Sequence, residues 1–313
     1  MGTQTQSNRY EYQIKLAGGT IRYVPLRSPE GESTGCVSGN DWNIDIEELE
    51  QAITPQTKMI YLNNPHNPLR KVFTRSELTA IGNLCVAHGL VLLSDEVYER
   101  IVFPSESPTS RNVPHTRVAS LSPEIAAHTL TAISLAKLFN ATGWRVGFIV
   151  GPEELMRPVI GTHLVLAYSS SGPAQDACVV GLREAERIDW WSTNARDVGA
   201  RVGKLCHTLD KIGLTYVAPP SAWFIFIRIH NIMLPEGYKY FPLVVSHGSQ
   251  DWKVCYFLVH EFGISCIPGS CFYGPENKAL GEQYLRLGAC KSDDGLDLAA
   301  RRFERVRPYI RDI

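Results

Sequence analysis

Three polar residues stand out in one apolar, small-residue stretch: Ser134, Lys137 and Arg145, within Ser134-Leu135-Ala136-Lys137-Leu138-Phe139-Asn140-Ala141-Thr142-Gly143-Trp144-Arg145-Val146-Gly147. An unpaired ammonium is costly to bury, so a lysine among such neighbours asks for a chemical task. One task is imine formation, in which the amine condenses with a carbonyl carbon to give a Schiff base. A serine just before the lysine and an arginine just after it supply what a phosphate needs, a small hydroxyl donor and a planar guanidinium fork. A lone lysine is most often a solvated surface residue. The three residues together favour an amine nucleophile that serves a phosphate-bearing aldehyde.

Two further segments place polar residues at the ends of apolar runs: Asn63-Asn64-Pro65-His66-Asn67-Pro68 and Ser94-Asp95-Glu96-Val97-Tyr98. Arg286 alternates with Leu285 and Leu287, so on a strand it points to the opposite face from them. Read with the lysine segment, these closely resemble the lysine signature, the Asn-Pro turn and the Asp-x-x-Tyr strand end of class I/II aminotransferases. That family comprises fold type I enzymes dependent on pyridoxal phosphate (PLP), and the nearest resemblance is to its kynurenine aminotransferase and cysteine-S-conjugate β-lyase group. It runs over nearly the whole chain, to Arg286 and beyond. The resemblance implies that Lys137 carries PLP and that Asp95 pairs with the ring nitrogen. It implies that Asn67 and Tyr98 bond the phenolate oxygen, that Ser134 and Arg145 hold the phosphate, and that Arg286, with Asn67, binds the substrate carboxylate. Taken singly, Asp95 reads as a helix cap, Asn67 as a turn residue and Tyr98 as core; a surface ion-pair partner is the lesser reading of Arg286.

The elements that must hold these residues follow from periodicity. Apolar runs over 20–25, 58–63, 90–93, 129–134 and 146–150 read as strands. Thr74-Arg75-Ser76-Glu77 has the form of a capping box before an amphipathic helix over 76–88, which Gly89 stops. A second helix over 44–52 has Asp41 or Asn43 as its candidate cap. This β-α-β rhythm predicts an α/β fold with a mostly parallel sheet covered by helices. Ligands of such sheets gather beyond the strand ends, where Asn67, Asp95 and Ser134 fall. After Gly151 the pattern changes to helices over 153–167, 173–187 and 189–212, then strands over 214–217, 222–229 and 284–288 with helices over 252–262 and 294–311. The expected organisation is a PLP-binding large domain over 1–188, incomplete at its N-terminus, and a smaller α+β domain over 189–313. Segments 105–114 and 231–250, rich in Pro, Ser, Gly and His, read as loops.

Composition narrows the partners. Of 313 residues, 44% are hydrophobic, enough for a sizeable core. Lys+Arg is 31 against Asp+Glu 32, so no basic surface for nucleic acid or anionic membrane is forecast. No apolar run is long enough to span a bilayer, and the polar start has no secretory h-region. Eight scattered cysteines without a C-x-x-C pair read as free thiols of a reducing, cytoplasmic compartment. The nine histidines lack metal-ligand spacing, so no metal is expected.

Three departures from the family matter. Its usual N-terminal section is not found before Tyr10-Glu11-Tyr12, which implies that a helix start contributing to the phosphate cup is absent. Arg70 stands where the family carries glycine, at a cost of roughly 1–2 kcal/mol if φ there is positive. Ser221 also replaces a glycine, near the expected substrate mouth. The implied function is transfer of an amino group from an aromatic or kynurenine-like L-amino acid to a 2-oxo acid, by a ping-pong mechanism in a homodimer. The aromatic preference rests on Trp223, Phe224, Phe272 and Tyr273. Two alternatives stay open: a cysteine-S-conjugate β-lyase, and a non-catalytic aminotransferase-like remnant that only associates with a partner chain.

Overall fold

The computed structural model describes residues 2–4, 8–29, 37–103 and 113–311. Its first part runs β1 (Gly2–Gln4), α1 (Asn8–Leu16), β2 (Tyr23–Arg27), β3 (Asn43–Ile44), α2 (Ile46–Gln51), β4 (Met59–Asn63), α3 (Arg75–Ala87), β5 (Val91–Asp95), α4 (Pro123–Ala127), β6 (Thr129–Ile133), α5 (Leu135–Leu138) and β7 (Phe148–Val150). These strands form one sheet in the order β3-β2-β1-β4-β5-β6-β7. The five inner strands are mutually parallel, while β3 and β7 join antiparallel at the edges. Ile60, Leu62 and Leu92 are fully buried, which is why their strands read as apolar runs rather than alternating ones.

Helices α6 (Glu153–Leu166), α7 (Gly172–Arg187) and α8 (Trp190–Ile212) lead to a second part. There follow β8 (Tyr216–Val217), β9 (Phe224–Arg228), α9 (Leu243–Ser246), α10 (Gln250–Phe262), β10 (Ile267–Pro268), α11 (Lys278–Gly281), β11 (Tyr284–Gly288) and α12 (Asp293–Glu304). The four strands make an antiparallel sheet in the order β10-β11-β9-β8. Segment 231–250, expected as loop, contains the short α9. The loop expected over 105–114 lies, apart from its last two residues, outside the described residues.

Local signals account for the helix starts. Thr74 Oγ1 accepts from the Glu77 N–H (3.2 Å) and the Glu77 carboxylate accepts from the Thr74 N–H (2.7 Å), a complete capping box. Helix α2 is capped by Asp45, whose Oδ1 accepts from the Glu48 N–H (3.0 Å), and not by Asp41 or Asn43. The reason is pairing: Asn43 and Ile44 are held extended opposite Arg27 and Leu26 in β3, so the helix can begin only after them.

The two sheets share apolar packing. Phe226, Phe272, Tyr273 and Tyr284 lie in one buried cluster with Val24, Leu26, Ile60 and Leu62. Val97, Tyr98 and Ile101 pack instead with β9, α8 and α10. By contrast β7 exposes Phe148, Ile149 and Val150, and α6 has no buried residue and exposes Ile160, Leu164, Val165 and Leu166. Among the described residues no helix is long and apolar enough to cross a membrane. The seven described cysteines are all free thiols, while Cys36 lies outside the described residues.

Candidate active site

Register brings the first site residue into place. Asn63 of β4 is level with Asp95 of β5, and Asp95 with Ala132 of β6, so the parallel strands end together. A turn, not a helix, follows Asp95, so its carboxylate is not a helix cap. Its Oδ2 accepts two phenolic hydrogen bonds, from Tyr61 (2.6 Å) and Tyr10 (2.7 Å), whose rings lie 4.4 Å apart. Its Oδ1 has only a long contact with the Val97 N–H (3.4 Å). Burial, and then the Asp95 charge, push both tyrosine pKa values up, so the hydroxyls stay protonated as donors. Asn63 ties the next piece on: its Nδ2 donates to the Asp95 carbonyl (2.9 Å) and its Oδ1 accepts from the Asn67 N–H (2.8 Å).

Lys137 sits in the single turn of α5, directly after β6. Its Nζ lies 4.7 Å from the centroid of the Tyr98 ring. Tyr98 is 5% exposed and packs edge-on against Trp223 and Phe224. Burial pushes its hydroxyl pKa up, with the Arg286 charge pulling against it. The Arg286 guanidinium in turn lies over the Phe224 ring (5.1 Å) and over the Phe272 ring (4.8 Å). Arg286 Nη1 donates to Asn67 Oδ1 (2.8 Å), and burial lowers its pKa. Lys137, Tyr98, Arg286, Asn67 and Asp95 therefore form one connected cluster.

Ser134 and Arg145 are less tightly assembled. Ser134 is the residue before α5, and its side chain makes no capping bond. Arg145 has left-handed backbone (φ 56°) and an exposed side chain that donates to the Thr142 carbonyl (3.1 Å). The two are linked through backbone: the Ala136 N–H donates to the Val146 carbonyl (3.1 Å). At Gly147 a Cβ would come within 2.6 Å of the Ile133 carbonyl, so only glycine lets the chain entering β7 press against the end of β6.

Three residues of the cluster escaped the sequence reading: Tyr10, Tyr61 and Asn63. Strand alternation held a signal for two of them, since Tyr61 and Asn63 are two apart on β4 and share a face. Tyr10 lies 85 residues from Asp95 and carried no local sign.

Arg70 and Ser221, which the resemblance reads as standing in place of glycines, touch each other. Arg70 has φ 63° and is fully buried, and the Ser221 hydroxyl donates to its carbonyl (2.7 Å). Ser221 is itself fully buried, so it braces the 66–71 turn and does not line an open mouth. Neither Arg70 Nη atom has a hydrogen-bond partner among the described residues, and burial lowers its pKa to about 9. A buried, unpaired cation on a left-handed backbone is destabilising on both counts. Arg70→Gly is therefore expected to raise Tm. Arg70→Ala, which keeps the backbone strain, should trail it by roughly 1–2 kcal/mol in denaturant titrations. A glycine variant less stable than the parent would mean that the packed aliphatic stem outweighs both terms.

Next to Asp95, Glu96 is fully buried and accepts from Ser94 Oγ (2.8 Å) and the Val118 N–H (3.1 Å). Burial pushes its pKa up to about 7. Glu96, Glu99 and His115 bring ligand-type atoms within 4.8 Å of one another. Arg117, bonded to Glu99 and 3.7 Å from Glu96, already supplies positive charge there.

The model of the aminotransferase class I and II family matches residues 6–303. The chain belongs to this family. Family members depend on PLP in general. The α/β architecture of the chain is fold type I. It superposes on Bna3p of Saccharomyces cerevisiae with a TM-score of 0.90 at 34% identity, over 99% of this chain and 71% of that one. The chain is 32% identical over 288 residues to a kynurenine–oxoglutarate transaminase of Dictyostelium discoideum, covering 90% of this chain and 64% of that protein. It is 31% identical over 300 residues to an aspartate aminotransferase of Geobacillus stearothermophilus, covering 95% and 66%. Against three curated relatives the chain spans 66, 64 and 62% of their length.

Proposed function

We propose that the chain binds PLP at Lys137 and acts as an aminotransferase on an aromatic, kynurenine-like amino acid, with a 2-oxo acid as acceptor. The observation that carries this is the cluster itself: a lysine amine over Tyr98, a carboxylate held by two tyrosines, and a half-buried arginine against two phenylalanines. The donor set fits the cofactor. Asp95 has one oxygen saturated by phenols and one with only a long contact, which suits a partner for a protonated ring nitrogen. Tyr98 and the Asn67 amide are the neutral groups available to the ring's phenolic oxygen, and Ser134 with Arg145 offers the phosphate a hydroxyl and a guanidinium. Bound there, PLP supplies an electron-accepting ring that stabilises negative charge at the substrate α-carbon.

The residues then divide the work. Arg286 binds the substrate carboxylate through its fork, and the surrounding phenyl rings exclude water and strengthen that contact. The Lys137 amine removes the proton from the α-carbon, acting as general base. Phe224 and Phe272 beside Arg286 support an aromatic substrate, in keeping with the kynurenine named for the Dictyostelium relative. A homodimer belongs to the same proposal, supported by the apolar surface of α6 and β7, larger than isolated surface residues would account for.

The test is covalent trapping. With PLP added, borohydride reduction should fix the cofactor on Lys137, located by peptide mass mapping, and Lys137→Ala should abolish the adduct. An adduct on another lysine, or none at saturating PLP, would overturn the assignment.

A further inference from the structure

Away from this cluster, α10 and the segment entering β10 face each other through two thiols. Cys255 lies on α10 and Cys266 just before β10, and their Sγ atoms are 3.4 Å apart. Both are half-buried free thiols. The blander account is that they are small apolar side chains in contact. The hydrogen bond between them goes beyond packing. The Cys266 S–H donates to the Cys255 sulfur, which lowers the Cys255 pKa and raises that of Cys266. Cys255 Sγ also lies 3.4 Å from the Cys266 carbonyl. With Cys266 as the donor to its sulfur, Cys255 is the thiol placed to attack, and a second sulfur lies directly beside it to resolve the product. Closing the contact from 3.4 Å to a covalent bond needs a movement of roughly 1.4 Å.

We propose that Cys255 and Cys266 form a peroxide-responsive dithiol, which closes to an intramolecular disulfide joining α10 to β10. The Cys255 thiolate attacks one oxygen of the peroxide; the O–O bond breaks, hydroxide leaves and takes up the proton shed by Cys255, and Cys255 becomes a sulfenic acid. The Cys266 sulfur then attacks the Cys255 sulfur. The S–S bond forms, the S–O bond breaks, and the departing hydroxide takes the Cys266 proton as water. The two sulfurs together lose two electrons, and hydrogen peroxide is reduced to two waters. The new bond would tie α10 to β10, where Ile267 pairs with Arg286 of β11, so it would stiffen the strand next to the proposed carboxylate site. The dithiol reaction itself is independent of the PLP assignment.

Exposed Cys290 is the internal control, because exposure alone would make it react first. The reduced chain is titrated with hydrogen peroxide, remaining thiols are alkylated, and peptides are mapped without reduction. The expected product is a Cys255–Cys266 linked peptide, two hydrogens lighter than its parts, formed at least about 10-fold faster than Cys290 is oxidised and lost on adding dithiothreitol. In Cys266→Ser, sulfenic acid should accumulate at Cys255 and be trapped by dimedone, as it is not in the parent chain. Oxidation that begins at Cys290, a bridge from Cys255 to Cys271, or an inert Cys255 in Cys266→Ser would each overturn the proposal.

Discussion

Asp95→Asn is expected to lower turnover by roughly 10²–10⁴-fold, the scale of a removed electrostatic stabiliser, while changing Tm little. The geometry says why the two effects should separate. The amide oxygen can take the place of Oδ2 and still accept from Tyr10 and Tyr61, so the local hydrogen bonds survive. The amide nitrogen then occupies the Oδ1 position. It is a donor where the ring nitrogen's proton needs an acceptor, and it carries no charge to hold that proton. Parallel measurements of turnover, PLP affinity and thermal unfolding on the parent and the variant decide the matter. Near-normal turnover would show that Asp95 serves only to anchor two tyrosines.

Arg286→Lys is expected to raise KM for the amino acid by roughly 10- to 100-fold, with the PLP affinity unchanged. Lysine keeps the charge but loses the planar fork. In the parent, one guanidinium nitrogen is committed to Asn67 Oδ1 and the group lies against Phe224 and Phe272. The remaining donors can therefore meet a carboxylate in a fixed orientation. A single ammonium has three donors but no planar fork, so it cannot give the substrate carboxylate two parallel bonds while it holds Asn67. The split between KM and PLP affinity matters, because a merely structural arginine would disturb both. A variant that loses PLP binding and folding stability together would mark Arg286 as a packing residue.

The chain by itself determined the local parts of this protein. Short apolar runs ending in Asn, Asp or Ser announced β4, β5 and β6, and the Thr74–Glu77 box announced α3, because these signals act among residues a few positions apart. The spacing of Ser134, Lys137 and Arg145 and the Asp95–Tyr98 pair stand out along the chain for the same reason. The cap of α2 was misread because pairing in β3 overrode a good local candidate.

Only the tertiary structure decided who meets whom. Asn67 reaches Arg286 across 219 residues of chain, Ser221 reaches Arg70 across 151, and Tyr10 reaches Asp95 across 85. No periodicity reports such contacts, because they depend on strand order, register and the packing of one sheet against the other. Arg70 and Ser221 looked unrelated along the chain and proved to be one contact. The thiols of Cys255 and Cys266 became a pair only when α10 was laid beside β10. Sequence pattern settles which face of an element is apolar. Which distant polar groups then come within 3 Å is settled by how those faces are buried against each other.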